Sequence, residues 1–164
     1  MADKAKGLVS MTPVVTVTAD ADSDAVDVIH HDIKKALGGK LEYAKADAND
    51  KWFYSASRDV TGVATDLLSG DFTEGGTIAT GDHVKFLFIK NSGTTDGSTT
   101  TSSVVYICLD GGNAASVSDV VEIGPNEAMV LKFKDGLDVA DLHAATSSGT
   151  VRCTVASIID DTGA

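Results

Sequence analysis

The fold is decided by two apolar stretches, HVKFLFI at residues 83–89 and VVYICL at residues 104–109. Both are rich in β-branched and aromatic residues, which are typical of strands. Apolar side chains stand at odd and at even positions in each, so each predicted strand is apolar on both faces. Either the strands are central with a covering element on the second face, or that face meets another subunit. We favour the second explanation, a homo-oligomer and preferably a trimer, over a monomer covered by its own helix.

Other short strands are predicted on both sides of these two. The segments share β-branched or alternating apolar residues bounded by turn signals, and they are Val14 to Thr18, Leu41 to Tyr43, Trp52 to Ser55, Val120 to Ile123, Met129 to Phe133 and Val151 to Ile159. Gly124-Pro125-Asn126-Glu127 has proline second and asparagine third, a β-turn signature. Residues 138–145 are expected to form one helical turn. The pattern predicts a mainly β chain that forms a sandwich or barrel. Together with the family resemblance given below, we take the fold to be an antiparallel β-sandwich or jelly-roll-like domain.

One helix is predicted near the N-terminus, at residues 23–37. Val26, Ile29, Ile33 and Leu37 recur at spacings of three, four and four, which places them on one face. Asp and Ser residues at 22–24 supply the N-cap and negative charge, and Gly38-Gly39 ends the helix. This helix is an addition to an otherwise β-rich domain.

Residues 1–13 are expected to form an extended N-terminal arm, and residues 14–164 a single β-rich domain. The arm has few groups that would anchor it locally, and such termini often order only against a partner. We therefore expect it to contact a partner protein, through the basic and apolar residues Lys4, Lys6, Leu8, Val9 and Val14.

Residues 91–102 contain only Ser, Thr, Gly, Asn and Asp. A tract without apolar side chains cannot add to the core, and polar loops of this kind lie at the surface. We expect it to project as a mobile hairpin tip between the strands at 83–89 and 104–109.

The charge and the apolar patterning exclude several classes of partner. The net charge of -11 and the lack of a basic patch disfavour nucleic acid and anionic membranes. The first residues lack the apolar core of a signal peptide, and no stretch approaches ~18 apolar residues, so we expect neither secretion nor a membrane span. Cys108 and Cys153 lie in apolar runs and are expected to be core residues.

Residues that carry chemistry are sparse, and we predict neither an enzyme nor a cofactor or metal site. His30 and His31 are neighbours on the predicted helix and point about 100° apart, so they cannot clamp a metal together. The run Asp20-Ala21-Asp22-Ser23-Asp24 resembles the start of a calcium loop, but its later positions lack the required glycine and glutamate. Trp52, with Phe53 and Tyr54, fits core anchoring better than a sugar platform.

The C-terminal half resembles capsid decoration (cement) proteins of tailed bacteriophages. The residues that carry the likeness are Lys90-Asn91-Ser92-Gly93, the Ser/Thr tract, Val104 to Asp110, Ile123 to Phe133 and Val151 to Ile159. The resemblance implies a β-sandwich or jelly roll, often trimeric, that binds the major capsid protein on the shell surface. It also implies a virion location after synthesis in the host cytoplasm, with no catalytic residues.

Two alternatives stay open. A tail, neck or fibre component of the same particles would use a similar domain to build rings. A carbohydrate-binding module would use Trp52 to Tyr54 as its platform.

Overall fold

The computed structural model describes residues 4–9, 39–44, 49–112 and 120–163. The predicted helix at 23–37 and the predicted strand at 14–18 lie outside them and stay predictions. Within these ranges the chain forms ten strands and one short 3-10 helix, η1. In chain order they are β1 Lys4–Val9, β2 Gly39–Ala44, β3 Asp50–Thr61, β4 Thr65–Asp66, β5 His83–Asn91, β6 Val105–Cys108, β7 Val121–Ile123, β8 Ala128–Asp138, η1 Val139–Asp141, β9 His143–Thr146 and β10 Thr150–Asp160.

The strands form two four-stranded sheets and one two-stranded sheet. Sheet I has the order β3-β10-β5-β8, and sheet II has the order β4-β9-β6-β7. Strands β1 and β2 pair with each other. All neighbouring strands are antiparallel. The prediction of a mainly β, antiparallel chain is confirmed for the described residues.

Sheets I and II share one hydrophobic core. Sheet I contributes Leu87 and Ile89 from β5 and Val155 from β10, and sheet II contributes Val105 and Ile107 from β6, all fully buried. Burial of one aliphatic side chain contributes about 1.5–3 kcal/mol, so this shared layer is the main source of stability.

The two stretches that decide the fold are both central strands. Strand β5 lies between β10 and β8, and β6 lies between β7 and β9. On the second face of β5, Phe86 and Phe88 belong to a separate outer cluster. On the second face of β6, Tyr106 and Cys108 belong to another outer cluster, on sheet II. The prediction that both strands are apolar on both faces is therefore confirmed.

Alternation along β10 places neighbouring residues on opposite sides of sheet I. Ile158 packs in the outer cluster while Ile159 packs in the shared core, and both are fully buried. The pairing of β10 with β5 also shifts register between these two residues.

The turn at Gly124 to Glu127 carries the chain from sheet II to sheet I. Glu127 N donates to Gly124 O at 3.0 Å, and Asn126 has a φ of 66°. Proline at the second position and a positive φ at the third define a type II turn, as the sequence indicated. The helical turn expected at residues 138–145 is also present, as η1.

The expectation that residues 91–102 form a hairpin tip between the strands at 83–89 and 104–109 is wrong, and their mobility stays a prediction. Strands β5 and β6 lie in different sheets, so the segment between them is a crossover and not a hairpin. Its polar side chains also bond to nearby backbone, for example Asp96 to Ser98 N at 2.8 Å and Thr99 N at 2.7 Å. Short polar side chains can satisfy backbone groups locally, which orders a segment without apolar packing.

Asn91 joins this crossover to the core and is itself fully buried. Its Nδ2 donates to Ser103 O and to Ile123 O, both at 3.1 Å. Its Oδ1 accepts from Gly93 N at 2.8 Å. One side chain therefore holds both ends of the crossover and the end of β7.

Candidate functional site

An apolar surface lies on the outer face of sheet I. Side chains alternate along β3, so Trp52 and Tyr54 share this face while Phe53 is buried in the shared core. Tyr54 is 58% exposed, and Trp52 is half-buried. The result is an amphipathic aromatic pair at the edge of the sheet.

The register extends this surface in two rows, of which the first crosses β3, β10 and β5 and the second crosses all four strands. The first row pairs Ile158 with both Trp52 and Phe86. The second row runs from Tyr54 through Ala156 and Phe88 to Val130. We call the residues of these two rows the aromatic face. Phe86 and Ile158 are buried, Trp52, Ala156, Phe88 and Val130 are partly buried, and Tyr54 is the exposed end.

The backbone of β3 is fixed where the aromatic face begins. Trp52 O accepts from Thr73 N at 2.8 Å and from Thr73 Oγ1 at 2.6 Å. Trp52 N donates to a carboxylate oxygen of Glu74 at 3.1 Å. Covering an edge strand in this way blocks the addition of a further strand there. At this position β3 therefore offers its side chains, and not its backbone, to a partner.

The crossover at residues 92–104 forms a second rigid surface. Hydrogen bonds from the backbone of Thr99 and Ser98, and then from their hydroxyls, hold the pKa of Asp96 well below its usual value. Arg152 on β10 donates from Nη1 to Asp96 O and from Nε to Asp59 Oδ1. The crossover is thus tied to sheet I and presents a fixed set of hydroxyl groups.

A pocket of about 370 Å³ opens on the outer side of sheet II. It is lined by Gly62, Val63, Ala64, Gly111, Gly112 and His143. His143 Nε2 lies 3.1 Å from Asp66 Oδ1, and its Nδ1 lies 2.9 Å from Gly112 O. The carbonyl only accepts, so Nδ1 carries a proton, and both ring nitrogens are occupied. The ring joins β4, β9 and the turn at 111–112.

Cys108 lies beside His143 in the register but lacks the features of a nucleophile. Burial, and then the hydrogen bond to Asp110, raises the pKa of the Cys108 thiol. Nucleophilic cysteines have a lowered pKa and partial exposure. Both cysteines are free and buried, as predicted for core residues.

A groove of about 330 Å³ separates the outer edges of β7 and β8. It is lined by Val121, Glu122, Ile123, Glu127, Ala128, Met129 and Val130, and we call it the β7–β8 seam. Val121 is 37% exposed. Glu122 and Glu127 are exposed at its rim, and the type II turn closes one end. The seam combines an apolar floor with acidic walls.

The residues predicted to bind a partner lie mainly on β1. Lys4, Lys6, Leu8 and Val9 pair through their backbones with Ala44, Glu42, Lys40 and Gly39 of β2. Val14 lies outside the described residues. The backbone of this part of the arm therefore has a local partner in β2, and its docking on a partner protein stays a prediction.

Sequence reasoning did not select Tyr54 or Val121 as exposed apolar residues. Alternation in Trp52-Phe53-Tyr54 was available and places the first and third on one face. For Val121 no local signal exists, because its exposure depends on β7 being an edge strand.

The described residues contain no cluster of three or more His, Cys, Asp or Glu side chains able to hold a metal ion. In the same part of the chain, no helix is long and apolar enough to cross a membrane. No protein family model, no curated protein and no solved structure matches this chain.

Proposed function

We propose that this chain is a structural virion protein that binds the surface of a phage capsid and stabilises the shell. Its partner is the major capsid protein, and it acts as a homo-oligomer, preferably a trimer. It is made in the host cytoplasm and then resides on the virion. In this proposal the two sheets form a β-sandwich of the jelly-roll type.

The observation that carries the proposal is the aromatic face. Protein interfaces are enriched in tyrosine and tryptophan, because these side chains bury a large apolar area and keep one polar atom for hydrogen bonding. Tyr54 is 58% exposed, and its row continues into the partly buried Ala156 and Phe88, so docking there would extend an existing apolar layer.

Rigidity of the surrounding loops supports the same role. Thr73 and Glu74 fix the backbone at Trp52, and Arg152 ties the crossover to sheet I. A surface that is ordered before binding loses less conformational entropy when it docks. Many copies of one modest interface can then stabilise a shell.

The test compares two exposed apolar residues on opposite sides of the molecule. Tyr54 lies on the outer face of sheet I, and Val63, which is 69% exposed, lies at the pocket beside sheet II. We expect Tyr54→Ala to weaken binding to expanded capsids by about tenfold, as for an aromatic interface residue. Val63→Ala is the matched control and should bind like the wild type. Equal binding by both variants and the wild type in co-sedimentation would remove the aromatic face from the interface.

A second candidate is a carbohydrate-binding module, favoured by Trp52 and Tyr54 lying on one face of the sheet. Two aromatic rings on one surface can stack on sugar rings. A glycan array separates the two candidates, because a carbohydrate-binding module should bind glycans on the array and a capsid-binding protein need not. A glycan signal that is lost in Tyr54→Ala would favour the module. Tail or neck location is separated by offering the protein isolated capsids and isolated tails in parallel.

A further inference from the structure

Positive charge is concentrated on one of the two four-stranded sheets. Residues 49–112 and 120–163 contain seven Lys and Arg residues, and all seven lie on strands of sheet I. The same strands carry five Asp and Glu residues, whereas the rest of these two ranges carries ten and has no lysine or arginine. Glu122 and Glu127 at the β7–β8 seam belong to this acidic part. In a chain of net charge -11, sheet I is therefore the one region of the described residues where cations outnumber carboxylates.

Two of these cations flank the aromatic face. On β5, Lys90 lies two residues after Phe88, and on β8, Lys132 lies two residues after Val130. Alternation places both lysines on the outer side of sheet I, each about 7 Å along its strand from the apolar residue. Because Phe88 pairs with Val130 in the antiparallel register, the two lysines lie at opposite ends of this apolar pair.

The outer side of sheet I is open to solvent beside the aromatic face. Lys90 is exposed although it lies on β5, a central strand of the sheet, and Lys132 is exposed as well. Two further cations of the sheet are held in ion pairs. Lys85 Nζ lies 3.1 Å from Asp160 Oδ2, and Arg152 Nε lies 2.9 Å from Asp59 Oδ1. The charge presented to a partner at the aromatic face is therefore that of exposed lysines.

An apolar centre with cations at its border selects the charge of the surface that it meets. Protein interfaces combine an apolar core with a polar rim, and the potentials of the two partners are complementary. Exposed lysines at the rim favour carboxylates on the partner. Lysines at two positions are too few for the row of phosphate contacts that nucleic acids require, so the observations favour a protein surface. The acidic remainder of the domain would be repelled by the same carboxylates, which fixes the side that docks.

We infer that the aromatic face docks on an acidic patch of the partner protein, with carboxylates against Lys90 and Lys132 around an apolar centre. This inference rests on the proposed function and names the chemistry of the surface that receives this chain.

Co-sedimentation with expanded capsids at rising salt concentration tests the inference. Lys90→Gln and Val63→Glu change the net charge equally but on different sheets, since Val63 is 69% exposed at the pocket beside sheet II. At about 0.05 M salt, we expect Lys90→Gln to bind about two- to fivefold more weakly than the wild type, as for loss of one exposed ion pair. Screening should close this gap at about 0.5 M salt. Val63→Glu is the matched control, and Lys90→Arg keeps the charge, so both should bind like the wild type.

The same series separates this inference from the proposed function. Wild-type binding that does not weaken as the salt concentration rises, or an equal loss in Lys90→Gln and Val63→Glu, would overturn the inference and leave the proposed function standing. Absence of wild-type binding at every salt concentration would overturn both. Displacement of the wild type from capsids by double-stranded DNA would also overturn the inference, because the face would then prefer phosphates to carboxylates. All three positions in the series are exposed, so each variant should unfold in urea like the wild type, which separates lost binding from lost folding.

Discussion

Replacing Asn91 by alanine should destabilise the domain more than any loop substitution of similar size. The side chain is fully buried and makes three hydrogen bonds, to Ser103 O, Ile123 O and Gly93 N. Its removal leaves two carbonyl oxygens and one N–H without these partners. An unsatisfied buried polar group costs about 1–3 kcal/mol, and partial access of water lowers that cost. We therefore expect the free energy of unfolding to fall by about 2–5 kcal/mol.

Equilibrium urea denaturation of the wild type, Asn91→Ala and Ser102→Ala measures this loss. Ser102 is exposed in the same crossover, so its substitution should change stability by less than about 0.5 kcal/mol. In Asn91→Asp, one carboxylate oxygen still accepts from Gly93 N, but the other replaces the amide nitrogen and faces two carbonyl oxygens without a proton to donate. This substitution should therefore lower the free energy of unfolding at least as much as alanine does. A loss below about 0.5 kcal/mol for Asn91→Ala would refute the view that the crossover is a folded part of the core.

Three further predictions concern Cys153, Arg152 and His143. Burial raises the pKa of Cys153 from 9.0 to about 12, so its contribution to stability is present below pH 9 and declines as the pH rises toward 12. Above pH 9, the difference in unfolding free energy between the wild type and Cys153→Ala should shrink by about 1.4 kcal/mol per pH unit. A difference that stays constant between pH 9 and pH 12 would contradict the raised pKa. Arg152→Ala removes the donor to Asp96 O, so hydrogen exchange of the Thr94 to Thr101 amides should become about tenfold faster, and unchanged rates would contradict the assigned tie. His143→Ala removes the contacts of the ring with Asp66 Oδ1 and Gly112 O and should lower stability by about 1–2 kcal/mol in thermal denaturation, whereas an unchanged midpoint would show that the ring is not a clamp.

Much of the fold within the described residues could be predicted from local patterns. Alternation and β-branched residues located β3, β5, β6, β8 and β10, and the turn at Gly124 to Glu127 followed from its proline and asparagine. These signals are local, because side-chain direction and turn geometry depend on residues close in sequence.

Strand partners could not be predicted in the same way. The crossover between β5 and β6 was expected to be a hairpin because polar residues separate two apolar runs. Which sheet each strand joins depends on contacts far apart in sequence, such as Cys153 with Asn91 and Ile107 with Ala144. The register shift at Ile158 and Ile159 likewise arises only when β10 meets β5.

The candidate surfaces were only partly accessible to sequence reasoning. The common face of Trp52 and Tyr54 follows from alternation along β3. The clamp of His143 on Asp66 does not, because it joins strands 77 residues apart in the chain. The acidic rim of the seam also depends on Glu122 and Glu127 lining one groove from different strands and a turn.

Binding to empty, expanded capsids tests the central claim most directly. The capsids should be assembled from the major capsid protein encoded in the same genome, and both binding and the thermal midpoint of the shell should be measured. The proposed role predicts saturable binding at a fixed number of copies per capsid, together with a higher midpoint for the decorated shell. Absence of binding at micromolar protein, or binding that leaves the midpoint unchanged, would contradict it.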